Sequence, residues 1–236
     1  GLFQAYQSLK DSDSFKNLDT AQQKVITNAL RDFKLSGIAL SDNDKKRYGE
    51  IVSRLSDLSS SFSNNVLDAT HAFSVTITDK DELTGLPEST LAAAKELAES
   101  KEKQGYTFTL DIPSYLPVMM YCDNAELREK MHRAFVTRAS EQGPNADELN
   151  NSDIMNELLS LRHELANLLD FDNFAQHSLA TKMANDTSEV MAFLENLALK
   201  SQAQGKEDFK ELNDFAATEF GKNDLQAWDL AYYSEK

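Results

Sequence analysis

Six scarcities narrow the choices before any motif is considered. There is one cysteine, Cys122, so no internal disulfide framework can form, and a lone thiol fits a reducing compartment. Proline and glycine number only 4 and 8, a profile that excludes collagen-like, linker-like and low-complexity chains. The glycines are dispersed singly, which leaves no glycine-rich phosphate loop and no nucleophile elbow around a serine. No apolar run approaches the roughly 18 residues a membrane-spanning helix needs, and no secretory leader pattern opens the chain. Positive charge is also in deficit: 24 basic against 39 acidic residues give a net charge of −15. Such a surface repels phosphate and argues against nucleic acid and anionic membrane as partners. The densest basic run, Lys45-Lys46-Arg47, is itself flanked by Asp42, Asp44 and Glu50.

What is present is helical periodicity. At 236 residues, 41% hydrophobic and 27% charged, the chain can bury a sizeable core. Leu2, Tyr6 and Leu9 already stand at helical spacing with no cap before them, which reads as a helix entered mid-course. A second helix is expected from Thr20, with Gln23 completing a capping box, a stripe of Val25, Ile26, Ala29, Leu30 and Phe33, and Gly37 as its stop. Ser41 is expected to start a long third helix with the stripe Tyr48, Ile51, Val52, Leu55, Leu58, Phe62 and Val66.

At Phe73 the period changes to two. Phe73, Val75 and Ile77 alternate with Ser74, Thr76 and Thr78, and Tyr106, Phe108 and Leu110 alternate with threonines. Between them Leu86-Pro87-Glu88 opens a helix that Gly105 closes. The reading is a strand-helix-strand insertion over 73–110, whose strands pair antiparallel and form the only β structure. Beyond it, Ile112-Pro113-Ser114 ends the strand and a short apolar helix runs through Met119, Met120 and Tyr121. Asp123 is expected to cap a helix with Leu127, Met131, Ala134 and Phe135 inward; Gly143-Pro144-Asn145 marks a loop. Ser152 or Asp153 caps a helix bearing Ile154, Leu158, Leu161, Leu165 and Leu168. A further helix from Thr187 carries Val190, Leu194 and Leu197, breaks near Gly205 and stops at Gly221. Trp228, Tyr232 and Tyr233 close the chain as an aromatic group too large to leave in water. No linker divides the chain, which is read as one helical lobe over 1–236.

The chemistry on offer is thin. His163-Glu164-Leu165-Ala166-Asn167 has the helix and first two residues of a zincin motif, but a carboxamide stands where the second imidazole must be. Solvated helix residues account for it better. Glu129-Lys130-Met131-His132 has the Glu-x-x-His spacing of di-iron bundles, which need that motif twice plus two further glutamates; it occurs once, and Met131 rather than His132 lies on the apolar stripe. His71 and His177 stand alone. Cys122, between an apolar helix and an acidic cap, reads as a packed thiol. From the residues alone this is a mainly α domain with no catalytic, cofactor-binding or metal-ligating residue to nominate.

Several segments encode more than helices. Leu161 to Phe171, followed by Phe174-Ala175 and Leu179-Ala180-Thr181-Lys182-Met183-Ala184, closely resembles the R-x-x-x-A-x-L-L-G-F-x-x-Y-A … L-x-x-K-M-A segment of the thimet-oligopeptidase-like zinc metallopeptidases. Asp111-Ile112-Pro113-Ser114-Tyr115-Leu116-Pro117-Val118-Met119, Arg138-Ala139-Ser140, Ser63 to Thr70, Trp228-Asp229 and Tyr232-Tyr233 resemble the bacterial oligopeptidase A branch of that family. The pieces run in order over nearly the whole chain. Asp170 departs from the family's usual Gly and Phe174 from its Tyr; Asp170 implies a helix end without a left-handed glycine.

The resemblance implies a fragment of a two-lobed, cytoplasmic oligopeptidase, supplying much of the helical lobe that precedes the catalytic one, where it either walls a channel that admits only short peptides or merely completes the other lobe's fold, the first being favoured. It places the family's His-Glu-x-x-His motif, third glutamate ligand and zinc beyond Lys236, so this chain alone is expected to be inactive and metal-free. The implied partners are short peptides and the catalytic lobe of the same polypeptide. Aromatic residues at both chain ends are expected to be left uncovered by the chain's own fold, and to be hidden by self-association or by docking of the two ends together. A competing class is a stand-alone helical interaction module using the Ser41–Ala69 helix. A stop codon after Lys236 would favour it, and a downstream His-Glu-x-x-His would favour the peptidase.

Overall fold

A computed structural model describes all residues, 1–236. The chain is mainly helical, with one two-stranded antiparallel sheet. Its elements are α1 (Leu2–Lys10), α2 (Asp13–Lys16), α3 (Thr20–Leu35), α4 (Asp42–Ala72), β1 (Ser74–Ile77), a 3-10 turn (Lys80–Leu83), α5 (Glu88–Ser100), β2 (Tyr106–Thr109), α6 (Ile112–Tyr121), α7 (Ala125–Thr137), α8 (Ala146–Leu149), α9 (Ser152–Leu168), α10 (Phe174–Leu179), α11 (Thr187–Phe220) and α12 (Leu230–Glu235). Two compact units divide it: Gly1–Ser60 with Met155–Ala192, and Ser61–Ile154 with Phe193–Lys236.

In the first unit α4 and α9 lie together because their stripes are apolar at spacings of three and four. Ile51, Leu165 and Leu169 are buried, with Tyr48, Leu55, Leu161 and Phe171 packed around them. Two bidentate ion pairs flank this seam. Arg47 reaches both oxygens of Glu164 at 2.6 and 2.7 Å, and Arg54 does the same to Glu157 at 2.6 and 2.7 Å. Position 54 lies seven residues after 47, and 157 seven before 164, so the helices run antiparallel in one fixed register. All four side chains are about half exposed, so solvent screens both pairs and they chiefly specify alignment.

The helix ends refine the expected capping. The box at the start of α3 belongs to Asp19 and Gln22, not Thr20 and Gln23: Gln22 N–H donates to Asp19 Oδ1 at 2.8 Å, and Asp19 N–H to Gln22 Oε1 at 3.1 Å. Gln23 is thereby free to donate to the carbonyls of Phe15 and Leu18, tying α2 to α3. Val25 and Val52, expected inside, are exposed. Gly37 ends α3 at φ +75°, with Ile38 N–H on Phe33 O and Gly37 N–H on Lys34 O. The end of α9 repeats this pattern: Phe171 N–H bonds Ala166 O at 2.9 Å, and Asp170 N–H bonds Asn167 O at 3.1 Å. The helix end does without a left-handed glycine, as expected, and Asp170 itself takes that position at φ +61°. An aspartate tolerates that region better than most side chains, and here its carboxylate also meets Lys34 Nζ at 3.2 Å.

The second unit carries the larger core: Leu83, Leu91, Phe108, Leu110, Val118, Cys122, Leu127 and Met131 are among its buried members. β1 and β2 pair antiparallel in the register Ser74↔Thr109 to Ile77↔Tyr106, as the alternation of apolar residues and threonines predicts. Gly105 must be glycine, since at φ +102° a Cβ would lie 2.3 Å from Ile77 O. α6 begins at Ile112, with proline tolerated in its first turn. Asn151, buried before α9, donates to Phe62 O and accepts from Asn65, so the second half of α4 is fixed by a satisfied polar contact. α11 runs unbroken through Gly205, where a break is expected from the sequence.

Asp170→Gly is expected to raise stability by about 0.5–1 kcal/mol, since relief of the left-handed backbone outweighs a largely exposed ion pair. Asp170→Ala is expected to lower it by a similar amount. Denaturant unfolding of the three proteins checks both signs.

Candidate functional site

The most heavily built polar site lies where α7 meets the end of the chain. Asn124, not Asp123, caps α7: its Oδ1 accepts from the N–H groups of Glu126 and Leu127 at 3.1 and 3.2 Å. That capped first turn aims Arg128 inward, on the same face as Met131 and Phe135. Its side chain is 2% exposed. Nη1 donates to Cys122 O at 2.6 Å and Asp123 O at 3.2 Å, Nε to Trp228 O at 3.2 Å, and Nη2 to Asp229 Oδ1 at 2.6 Å. The face of the guanidinium lies 4.1 Å from the centre of the Tyr232 ring. Asp229 is fully buried, and its second oxygen accepts from Gln226 N–H at 3.1 Å and Lys222 Nζ at 3.3 Å.

Around this pair the chain end is latched side chain by side chain. Asp123, released from capping, accepts from the Tyr232 hydroxyl at 2.7 Å and from Lys236 Nζ at 3.3 Å. Tyr121 OH donates to Glu235 at 3.2 Å. Trp228 packs half-buried against the core, with Arg133 over its ring at 5.2 Å. The turn beneath has no room for a side chain: at Gly85, φ +90°, a Cβ would sit 2.1 Å from Tyr121 O and 2.8 Å from Asp123 Oδ1. The expectation that both chain ends leave their aromatics uncovered is thus corrected: Tyr232 is buried, and Phe3 and Tyr6 lie edge-on to Phe33 at 6.0 Å each.

Burial pushes the Asp229 carboxyl up, but Arg128, the Gln226 amide and Lys222 together outweigh it and hold it below the ordinary carboxylate range. Both of its oxygens are engaged, Oδ1 by Arg128 and Oδ2 by the Gln226 N–H and Lys222. The cluster acts as a clasp that holds Asp229 and Tyr232 to the start of α7.

The candidate motifs are dispersed. His163 and Asn167 are exposed, and both oxygens of Glu164 are held by Arg47, whose hydrogen bonds keep that carboxyl low. Glu129 accepts from Arg133 at 2.7 Å, while His132 leans on Trp228, its basicity lowered by burial. His177 sits between Phe171 and Phe174 with Nδ1 buried and unbonded, and burial lowers its pKa also. Cys122 is fully buried, and burial pushes its thiol up, away from thiolate chemistry. These residues do not fit a zinc site: the zincin-like glutamate is already engaged and its would-be second ligand is a carboxamide. The clasp itself escaped sequence reading, although Arg128 at three and seven residues before Met131 and Phe135 was the available signal.

The sequence pattern that defines Peptidase family M3 matches residues 118–236, half of the chain, and that of the Neurolysin/Thimet oligopeptidase N-terminal domain matches residues 1–45. The chain belongs to peptidase family M3. It is 58% identical over 236 residues to oligopeptidase A of Salmonella typhimurium, covering 100% of this chain and 35% of that protein. Oligopeptidase A of Haemophilus influenzae is 55% identical with the same coverage, and saccharolysin of Saccharomyces cerevisiae is 29% identical over 90% of the chain and 29% of its own length. The chain thus spans about a third of the relatives it matches. No helix is long and apolar enough to cross a membrane.

Asp229→Asn leaves the Arg128 guanidinium buried without a counter-charge, and should cost about 3–5 kcal/mol. The double replacement Arg128→Met with Asp229→Leu should cost much less, because neither charge is then stranded. Asp229 is depressed in the folded state, so its stabilisation is complete above the ordinary carboxylate pKa of about 4 and is lost as pH falls through the lower folded value. Urea midpoints from neutral pH downward should show this loss in the wild type and its absence in the double variant.

Proposed function

We propose that this chain is a non-catalytic segment of a cytoplasmic zinc peptidase acting on short peptides, and that it helps wall a channel restricting substrate size. The observation that carries this reading is identity of 58% along the whole chain to one third of an oligopeptidase A. On this reading 1–236 is one helical lobe with 73–110 inserted in it, and it holds no catalytic, cofactor or zinc-binding residue. The zinc and the groups that use it belong to the polypeptide that the relatives carry outside the matched third.

The state of α11 supports a missing partner. From Met191 to Glu211 every residue is exposed, including Phe193, Leu194, Leu197, Leu199 and Phe209. A helix draws most of its stability from packing an apolar face, and no residue of this stretch is buried. The apolar face of α4, by contrast, is already used at Ile51, Leu58 and Ala69, which weighs against a free-standing module built on that helix. The occupant of the α11 face in this reading is the catalytic lobe of the same polypeptide; without it, copies of the chain self-associate there.

The test is a chimera in which this chain replaces the matching third of the Salmonella typhimurium enzyme. Cleavage of a quenched short peptide should be retained, and folded proteins should remain uncut. Leu197→Lys should leave the unfolding midpoint of the 236-residue chain within about 0.5 kcal/mol of wild type, yet destabilise the chimera by about 1–3 kcal/mol. An inactive but well-folded chimera, or equal effects of Leu197→Lys in both contexts, would overturn the reading.

A further inference from the structure

A two-stranded sheet has two outer edges, and in this protein they are treated differently. α5 and α6 pack along β2, whereas the neighbours of β1 are β2 and the 3-10 turn that follows it. The direction in which each β1 residue points follows from one bond. Thr109 N–H donates to Ser114 Oγ at 3.0 Å, away from its partner Ser74. Ser74↔Thr109 is therefore a non-hydrogen-bonded pair of the ladder, and so, two residues on, is Thr76↔Thr107. The 2.9 Å between the hydroxyls of Thr76 and Thr107 agrees, since side chains come closer in such pairs. The N–H and C=O groups of Ser74 and Thr76 consequently face outward, and no group of the chain bonds them.

Soluble proteins blunt such edges with a charge, a proline or a bulge. Phe73-Ser74-Val75-Thr76-Ile77-Thr78 contains no charge and no proline, and its pairing register is unbroken. Ser74, Thr76 and Ile77 are partly exposed, while Val75 between them is buried. Donor and acceptor alternating at a period of two fit one shape of ligand, an extended main chain.

We propose that the outer edge of β1 binds short extended peptides as a third strand, through the main-chain groups of Ser74 and Thr76. This rests on the peptidase reading, and deepens it by naming how the chain would hold the peptides it meets. Two features select the occupant. The edge is four residues long, which suits a short peptide better than a long strand. Each chain carries a net charge of −15, which opposes pairing of β1 with a second copy and favours a neutral or basic peptide.

The probe is a Val/Thr hexapeptide with a lysine at each end, titrated into the isotope-labelled 236-residue chain while backbone amide shifts are followed. Saturable shifts centred on Ser74–Thr78 are expected. Two further peptides carry N-methyl groups on alternate amides, in opposite registers. The register that blocks the amides facing β1 should weaken binding at least about tenfold, while the other binds as the parent does. Ser74→Pro removes one outward donor at the first strand position, where proline is tolerated, and should weaken binding about fivefold without changing Trp228 fluorescence.

Equal binding of the two methylated registers, shifts centred elsewhere, or edge shifts that depend on chain concentration without peptide would each overturn the proposal. Absence of edge binding beside an active chimera sinks this inference alone. Edge binding beside an inactive chimera sinks the peptidase reading instead.

Discussion

The second unit depends on a charge pair that would be ruinous if either half were missing. Arg128 and Asp229, 101 positions apart, are both withdrawn from water and meet at 2.6 Å. Withdrawing two ions costs several kcal/mol each, and attraction between them offsets this only if the remaining donors and acceptors are also satisfied. Every nitrogen and oxygen of the pair has a partner: three main-chain carbonyls accept from Nε and Nη1, and an amide and an ammonium donate to the other carboxylate oxygen. Because three of those partners lie at Cys122, Asp123 and Trp228, the pair determines where the last residues of the chain run, and not merely that they are held.

The requirement propagates into residues that look unrelated. Asp123 is used as an acceptor for Tyr232 and Lys236, so capping of α7 falls to Asn124. The approach of that loop to Thr84, with Asp123 N–H on Thr84 O at 2.9 Å, leaves only a glycine's width at position 85. Cys122 gives its carbonyl to Arg128, and its sulfur is sealed into the core. A thiol that sequence alone could only call packed is thereby accounted for by the neighbour it supports.

Period and punctuation made much of this legible. The strand pair follows from alternation with threonine, and the long helices from spacing of three and four. The errors share a physical origin. Capping was misplaced by one residue at Asp19 and at Asn124 because Asp, Asn, Ser and Thr compete locally for the same role, and the winner depends on what else needs the loser's side chain. Val25 and Val52 lie beside a true stripe, and an apolar arc wider than its contact leaves its margin in water. Asp170 shows that a backbone conformation can be retained where its usual glycine is not. The clasp could not be read because contacts between distant positions leave no periodic trace; a single arginine on an apolar face was its one mark.

The same logic separates what this chain does for itself from what it leaves undone. Every nitrogen of the buried Arg128 guanidinium finds an acceptor, and the side-chain oxygen and nitrogen of Asn151 are both bonded. A chain that satisfies these buried groups nonetheless leaves leucine and phenylalanine in water along α11 and an unblunted strand edge at β1. Neither is a failure of packing within the units, since Phe108, Val118 and Met131 are fully enclosed. They are surfaces of two different kinds. A broad apolar helix face gains from area and suits permanent cover, whereas four alternating main-chain groups gain little area and suit a ligand that comes and goes. On the proposed reading of this chain as a segment of a peptidase, the first fits attachment to the rest of the polypeptide, and the second fits contact with short peptides.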